Sequence, residues 1–286
     1  MNKQNLPYYG ALFLGWALYA YFSAVRQSVL VLLLLVPYGV IWFVALYGGL
    51  RLRTYVKTIL RTPDGIGFAR IDLGLFILLL ALVLPAVLGS ISGLYTSSPG
   101  LATSLTLLAN YSDTILPFVA FAIIYVGTMN LTKLLKRTSL SFLYKSLFLI
   151  PLVVFTPLYF WLTFAVPNVT TTYHLPAVLI VGTILVPSLL AWVFGILASV
   201  NMGFYGREVQ GVIYKRSVIL LVRGVLALTL GDIIYLVLTS LGPYLIFLGT
   251  GVLLVLVYLF LGILGAGFIF VARGAERLTR LEGGPP

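Results

Sequence analysis

Long stretches without a charge constrain this chain more than any other feature of its sequence. No Asp, Glu, Lys or Arg occurs in residues 73–112, 146–206 or 233–272. A helix needs roughly 20 mostly apolar residues to cross a bilayer, so each stretch is long enough for at least one crossing. Charged residues make up 9% of the chain, whereas soluble domains contain roughly 25%. This pattern predicts a membrane protein and excludes a soluble domain, a disordered chain and a nucleic-acid-binding domain.

The residue types that are missing limit the chemistry of the chain. It contains no cysteine and a single histidine, His174, which is predicted to lie in a loop. Disulfides, thiolate metal sites, iron–sulfur clusters and cysteine nucleophiles are therefore excluded. The seven carboxylates are scattered along the sequence. We therefore expect no metal or cofactor site and no enzyme activity.

Turn signals divide the apolar stretches into separate predicted helices. Thr96–Gly100, Pro167-Asn168 and Gly242-Pro243 mark such breaks. The prediction is an all-α bundle of eight transmembrane helices, with residues 1–286 forming a single integral membrane domain. The predicted spans are 7–25, 28–50, 72–94, 113–132, 146–166, 176–200, 217–240 and 244–272.

The distribution of Lys and Arg predicts the orientation of these spans. With eight spans, one side of the membrane carries nearly all basic residues, and cytoplasmic loops are the loops enriched in them. Both termini are therefore expected in the cytoplasm, and the protein in the cell membrane. Two glycosylation sequons, at Asn110 and Asn168, then fall on the external side. The residues on the cytoplasmic side are Lys3, Arg51, Arg53, Lys57, Arg61, Arg70, Lys133, Lys136, Arg137, Lys145, Arg207, Lys215, Arg216, Arg273, Arg277 and Arg280.

Similar short segments recur in the middle of the chain. Thr114–Pro117 resembles Thr183–Pro187, and Tyr144-Lys145 is matched by Tyr214-Lys215. The spacing predicts a duplicated helical hairpin, formed by residues 113–166 and 176–240, with both copies in the same orientation. Parallel repeats of this kind occur in transporters.

The basic loops contain amphipathic segments. In residues 51–62 the apolar side chains recur at helical spacing, while Arg51, Arg53, Lys57 and Arg61 occupy the other face. Such a helix either continues the second span or lies flat at the membrane surface. The basic residues of the loops, including Lys136, Arg137 and Arg207, are expected to contact anionic lipid headgroups. The alternative is that they dock a cytoplasmic protein partner.

Ionisable residues inside spans are the candidate functional residues. Asp232 lies deep in the seventh span, with Tyr235 three residues further along, and Arg223 lies closer to the cytoplasmic end. Asp232 could be a hydrogen-bond centre for Tyr, Thr or Ser side chains, a site for a solute, ion or proton, or a residue of the external interface. Asp72 and Asp113 fall at predicted helix N-termini, where a carboxylate is ordinary.

Helix breakers and small residues suggest further features of the spans. The spacing of Gly89 and Gly93 predicts close helix packing, and so does the glycine stripe in the eighth span. Prolines inside spans are ordinary in membrane helices, because neighbouring groups satisfy the freed carbonyls. The alternative is that they form the discontinuous helices that transporters place around substrates. These prolines are Pro37, Pro85, Pro117, Pro151, Pro157 and Pro187.

The segment from Ala45 to Lys57, followed by Thr62–Gly67 and the apolar span from Asp72, resembles uncharacterised archaeal multi-pass membrane proteins. Those proteins join a span, a short basic amphipathic helix and a glycine turn to the next span. The resemblance implies no activity. The absence of Cys and the many Ile, Leu, Val and Tyr residues suit a thermophile. The best functional hypothesis is a solute transporter or permease-type subunit, and the alternative is a non-catalytic membrane scaffold.

Overall fold

Six helices make up the part of the chain that the structure describes. The structure is a computed structural model that describes residues 29–95, 98–134, 174–245 and 250–282, together with residue 17. Within these residues the fold is all-α. The helices are α1 (Val29–Ile59), α2 (Pro63–Ser92), α3 (Pro99–Leu134), α4 (His174–Glu208), α5 (Val212–Leu245) and α6 (Thr250–Glu282).

The composition of these helices is that of a multi-pass membrane protein. Within the described residues, 5 helices are long and apolar enough to cross a bilayer. Many large apolar side chains, among them Phe43, Leu80 and Leu230, are exposed on the outside of the bundle. An apolar exterior is what lipid tails require. The segments that meet the criterion are Pro63–Ser92, Gly100–Thr132, Leu185–Glu208, Val212–Leu238 and Val255–Arg280.

Two short turns reverse the chain at the same end of the bundle. Helix α2 begins with Pro63, whose fixed φ suits the first turn of a helix, after Thr62 in an extended conformation. Helix α5 follows Gly211, which has φ 99° and so adopts a conformation that favours glycine. These turns make α2 and α5 run opposite to α1 and α4. Each helix packs on its neighbours in chain order, and α6 packs back on α1, which closes a ring.

The ring consists of two three-helix units with matching positions. A shift of 150 residues places Trp42 and Tyr55 of α1 on Trp192 and Tyr205 of α4. The same shift relates α2 to α5, and the pattern of buried and exposed positions largely repeats along both helices. We call α1–α3 the first unit and α4–α6 the second unit.

The glycine contacts between helices repeat in the same way. A Cβ on Gly74 of α2 would lie 2.7 Å from the carbonyl oxygen of Ala120 in α3. At the matching position of the second unit, a Cβ on Gly224 of α5 would lie 3.0 Å from the carbonyl oxygen of Gly267 in α6. Both contacts are tighter than a side chain allows, so the glycines let the helix backbones approach closely.

Several helices are longer than the sequence predicts. Residues 51–59 continue α1, which is one of the two expected arrangements for the amphipathic segment. The prediction that Asp72 and Asp113 lie at helix N-termini is wrong, because α2 begins at Pro63 and α3 at Pro99. Turn residues predict helix ends less well in these helices than in soluble proteins, because a long helix that is covered by its neighbours accommodates them. For the same reason Gly242-Pro243 lies inside α5, and His174 begins α4 instead of lying in a loop.

The prolines of the described spans are accommodated within continuous helices, as the first of the two interpretations expects. Helices α1 to α4 continue through Pro37, Pro85, Pro117 and Pro187 without a break in the described helices. Gly89, predicted to be part of a close packing motif, has open space where a Cβ would be. Close approaches occur at other glycines, such as Gly67 with Gly127, where the backbones of α2 and α3 are in contact.

Some predictions fall on residues outside the described ranges. These include two of the eight predicted spans, one predicted glycosylation site and two basic residues of the predicted cytoplasmic loop 133–145. The hairpin repeat, which includes residues 135–173, also stays a prediction. The features concerned are the spans 7–25 and 146–166, together with Asn168, Lys136 and Arg137.

Candidate functional site

The two ends of the bundle differ sharply in charge. Every Lys and Arg of the described residues lies toward the end where α1 and α4 finish, which we call the basic end. In the other half, which we call the opposite end, the described residues contain no Lys or Arg. Two carboxylates, Asp113 and Asp232, lie in this other half.

A cavity of about 570 Å³ opens between the two units toward the opposite end. Side chains of α1, α2, α3, α5 and α6 line it, and both Asp113 and Asp232 face it. Pro85 and Pro117 also face it, so two of the predicted helix breakers lie at the site without interrupting a helix. We call it the acid cavity. Its size lies in the range of about 300–1,000 Å³ that is typical of small-molecule sites.

Asp232 is held from the neighbouring helix of its own unit. The indole nitrogen of Trp192 in α4 donates a hydrogen bond to the Oδ2 atom of Asp232 in α5, over 3.0 Å. The sequence predicts Tyr, Thr or Ser as donors, whereas the donor found among the described residues is a tryptophan. A tryptophan is suited to this position because its ring fills apolar space while its N–H reaches a polar group.

Asp113 joins the two units. The hydroxyl of Tyr235 in α5 donates a hydrogen bond to the Oδ2 atom of Asp113 in α3, at 2.5 Å. The ring of Tyr235 also packs against Phe260 of α6, with centroids 5.4 Å apart. Through these contacts, one side chain of the second unit fixes the position of a carboxylate from the first unit.

The carboxylates do not occupy matching positions in the two units. Leu82 of α2 stands where α5 has Asp232 under the shift of 150 residues. For α3 and α6 the shift is 147 residues, as the matching glycine contacts of α2 with α3 and of α5 with α6 indicate, so Phe260 stands where α3 has Asp113. All four side chains line the acid cavity. The cavity is therefore built on a repeated framework, but its charged groups are not repeated.

Closer to the basic end, the space between the units is filled by a cluster of tyrosines. Tyr205 donates a hydrogen bond to Asp64 over 2.7 Å, and Tyr55 donates one to Tyr214 over 3.1 Å. These two contacts are related by the same shift of 150 residues, and each crosses from one unit to the other. Phe68 packs edge-on against Tyr55 and Tyr205. We call Tyr55, Asp64, Tyr205 and Tyr214 the tyrosine cluster.

The tyrosine cluster closes the bundle at the basic end. Tyr55 and Tyr205 are each 3% exposed, and the Phe68 ring that packs on both is fully buried. The apolar residues at the same level, Leu52 and Met202, are also fully buried. Among the described residues, the cluster therefore lies between the acid cavity and the basic end.

The predicted site residues separate into two groups. Asp232 and Tyr235 lie together at the acid cavity, as their spacing suggests. Arg223 is exposed on α5 and does not line the cavity. Asn110, predicted to lie on the external side as a glycosylation sequon, is inside α3 and lines the cavity.

The basic residues predicted to dock lipids or a partner lie at the basic end, away from the acid cavity. Arg51, Lys57, Arg61 and Arg207 are exposed there. Arg51 donates a hydrogen bond to the Tyr47 hydroxyl over 3.1 Å. Arg53 is partly buried and shares a small pocket with Asp72. That these cations contact anionic headgroups or a cytoplasmic protein stays a prediction.

Asp113 is the site residue that the sequence analysis misses. The sequence places it at a helix terminus, because the predicted fourth span begins there. A signal for the longer helix does exist: residues 98–134 read as one continuous helix if Asn110, Tyr111 and Ser112 are taken as helical. A carboxylate then lies well inside the helix, where it is a candidate functional residue.

The comparisons with known proteins give no further guide to the site. No family model, no curated protein and no solved structure matched the chain. Within the residues that the structure describes, no three His, Cys, Asp or Glu side chains come together as a metal site.

Proposed function

We propose that this protein is a membrane carrier for a small solute, which binds in the acid cavity between the two three-helix units. The observation that carries this proposal is the combination of an open cavity with two carboxylates and a closed tyrosine cluster below it. A carrier needs a central site that is accessible from one side at a time, and this arrangement has one open and one closed side.

The repeat supplies a way to exchange the open and closed sides. Paired structural repeats allow one unit to rock against the other around a site between them. Contacts between the units occur on both sides of that site: Tyr235 with Asp113 at the opposite end, and Tyr205 with Asp64 at the basic end. We propose that the tyrosine cluster opens when the contact at the opposite end closes over the solute.

We further propose eight spans, with the basic end in the cytoplasm, because cytoplasmic loops are enriched in Lys and Arg. Helix α3 ends at the basic end, and α4 begins at the opposite end. The proposed span at 146–166 would connect these two ends. A further span at 7–25 would place the N-terminus in the cytoplasm.

Alternating access can be tested by cysteine labelling, because the natural chain contains no cysteine. Ala86→Cys places a thiol in the acid cavity, and Val218→Cys places one beside the tyrosine cluster. Replacing Tyr55 and Tyr205 by Phe removes hydrogen bonds that hold the cluster closed. We expect faster labelling of the thiol at position 218 from the cytoplasmic side, and slower labelling of the thiol at position 86 from outside. The variant removes at least two hydrogen bonds, each with a net contribution of about 0.5–1.5 kcal/mol, so the ratio of the labelling rate at position 218 to that at position 86 should rise about fivefold to 150-fold.

Labelling would be measured with a membrane-impermeant maleimide in right-side-out and inverted vesicles. The matched control is Tyr47→Phe, which alters an exposed tyrosine of the same helix as Tyr55 and should leave both rates unchanged. The opposite change of the two rates is the result that identifies a carrier. If position 218 becomes accessible while the labelling of position 86 stays constant, the units do not rock and the protein is not a carrier of this type.

A further inference from the structure

The charges around the acid cavity are unbalanced. Asp113 and Asp232 face it, and the described residues that line it include no Lys, Arg or His. The hydrogen bonds that the two carboxylates accept from Tyr235 and Trp192 come from neutral donors. A buried carboxylate is costly unless it is protonated or paired with a positive charge. The cavity is therefore suited to a cation.

The walls of the cavity are those of a site for an organic molecule. Tyr38, Phe260 and Phe268 line it together with aliphatic side chains such as Leu78 and Leu264. Aromatic faces attract organic cations through their negative π-systems. A metal ion would instead require several oxygen ligands around one point, and the described residues contain no cluster of three acidic or histidine ligands.

The volume of the cavity supports the same conclusion. At about 570 Å³ it is far larger than a bare ion and is in the range of sites for small organic ligands. Polar residues, among them Ser92, Thr106 and Asn110, also line it. They could accept hydrogen bonds from an amine or orient a polar substituent.

We infer that the acid cavity binds a small organic monocation with an aromatic or aliphatic body, whose positive charge lies between Asp113 and Asp232. This inference deepens the proposed function and rests on it, since it names the class of solute that the carrier would move. The charge would pair with the two carboxylates, and the apolar body would contact Tyr38 and Phe260.

Binding can be measured with 1-methyl-4-phenylpyridinium, a permanent cation, on the purified full-length protein in lipid nanodiscs. The uncharged 4-methylbiphenyl has nearly the same shape and reports binding without charge. We expect saturable binding of the cation and a Kd that is raised about tenfold to a hundredfold by Asp113→Asn or Asp232→Asn, since the attraction between opposite charges several ångströms apart in a protein contributes at this level. Asp72→Asn, an acidic residue outside the cavity, is the matched control and should leave the Kd unchanged.

A second measurement avoids any change to the acidic residues, in case the Asn variants fail to fold. In the Ala86→Cys protein, the cation should slow maleimide labelling of the cavity, and 4-methylbiphenyl at the same concentration should not. Equal binding of the charged and uncharged probes would overturn the inference. It would also be overturned if neither 1-methyl-4-phenylpyridinium nor tetramethylammonium showed saturable binding.

The outcomes separate this inference from the proposed function. The cation could bind in a way that depends on the carboxylates while the two labelling rates do not change in opposite directions. That result would support the binding site and reject the carrier function. If the two labelling rates change in opposite directions but neither cation binds, the carrier function is supported and the cationic solute is rejected.

Discussion

The hydroxyl of Tyr235 joins the two units beside the acid cavity. It donates to Asp113 of α3 from α5, and its ring lies against Phe260 of α6. A hydrogen bond to a carboxylate contributes more than one between neutral groups. If the hydroxyl is removed, the Asp113 oxygen loses this donor in a half of the bundle where the described residues offer no basic side chain.

At the residue scale, Tyr235→Phe should therefore lower the free energy of unfolding by about 1–3 kcal/mol, the cost of leaving a buried polar group unsatisfied. The loss would be measured by reversible denaturation in mixed detergent micelles. Tyr95→Phe is the matched control, because Tyr95 is 42% exposed and takes part in turn hydrogen bonds through its backbone atoms. Equal stability of the two variants would show that the contact between Tyr235 and Asp113 does not hold the units together.

The sequence identifies half of the acidic pair. Asp232 can be found because it lies within an uninterrupted apolar helix, where a charged side chain is unusual. Asp113 is missed because Asn110, Tyr111 and Ser112 precede it, and such a polar run is typical of a loop. Only the tertiary structure shows that the run is helical and that Asn110 faces the same cavity as Asp113.

At the scale of the helices, glycines set how closely neighbours approach. Gly74 packs on the α3 backbone and Gly224 on the α6 backbone, at matching places in the two units. In lipid, where apolar burial drives helix association only weakly, van der Waals contact between close backbones is a principal source of stability. A methyl group at either glycine would separate the helices.

Gly74→Ala and Gly224→Ala should each lower the free energy of unfolding by about 1–3 kcal/mol, as overpacking of a tight interface does. The measurement is again reversible denaturation in mixed micelles. Gly203→Ala is the control in α4, where a Cβ would have no neighbour within 4 Å. Because Ala is a better helix former than Gly, this control should keep or raise stability by up to about 1 kcal/mol. A loss in Gly203→Ala as large as in Gly74→Ala would contradict the packing argument.

The existence of most helices could be predicted from the sequence, but their bounds could not. Apolar length alone locates the described helices, since a span needs a minimum number of apolar residues. Helix α3 nevertheless begins at Pro99, whereas the predicted span begins at residue 113. Polar residues that would end a helix in water remain helical when neighbouring helices cover them. The repeat of three-helix units escapes sequence reading because few positions are identical, among them Trp42 with Trp192 and Tyr55 with Tyr205.

At the scale of the whole molecule, the charge difference between the two ends predicts orientation. Thr58→Cys and Gln210→Cys place thiols at the basic end, and Ser98→Cys places one at the opposite end, all at exposed positions. With basic loops in the cytoplasm, an impermeant maleimide added to intact cells should label the Ser98→Cys variant and leave the other two unlabelled. Detergent permeabilisation is the control, since it should make all three thiols reactive. Labelling of the Thr58→Cys variant in intact cells would show that the basic end faces the outside of the cell and that the proposed orientation is wrong.

The unequal carboxylates are a feature that only a chain with two fused units can have. Matching three-helix units are the expected product of a duplicated and fused ancestor that once paired with its own copy. In such a homodimer every substitution occurs twice, so an aspartate at the Asp113 position would also have replaced Phe260, and one at the Asp232 position would have replaced Leu82. A site with one of each is open only to a fused chain, whose halves mutate independently. A fused chain can therefore keep a repeated framework while its charged groups differ between the two units.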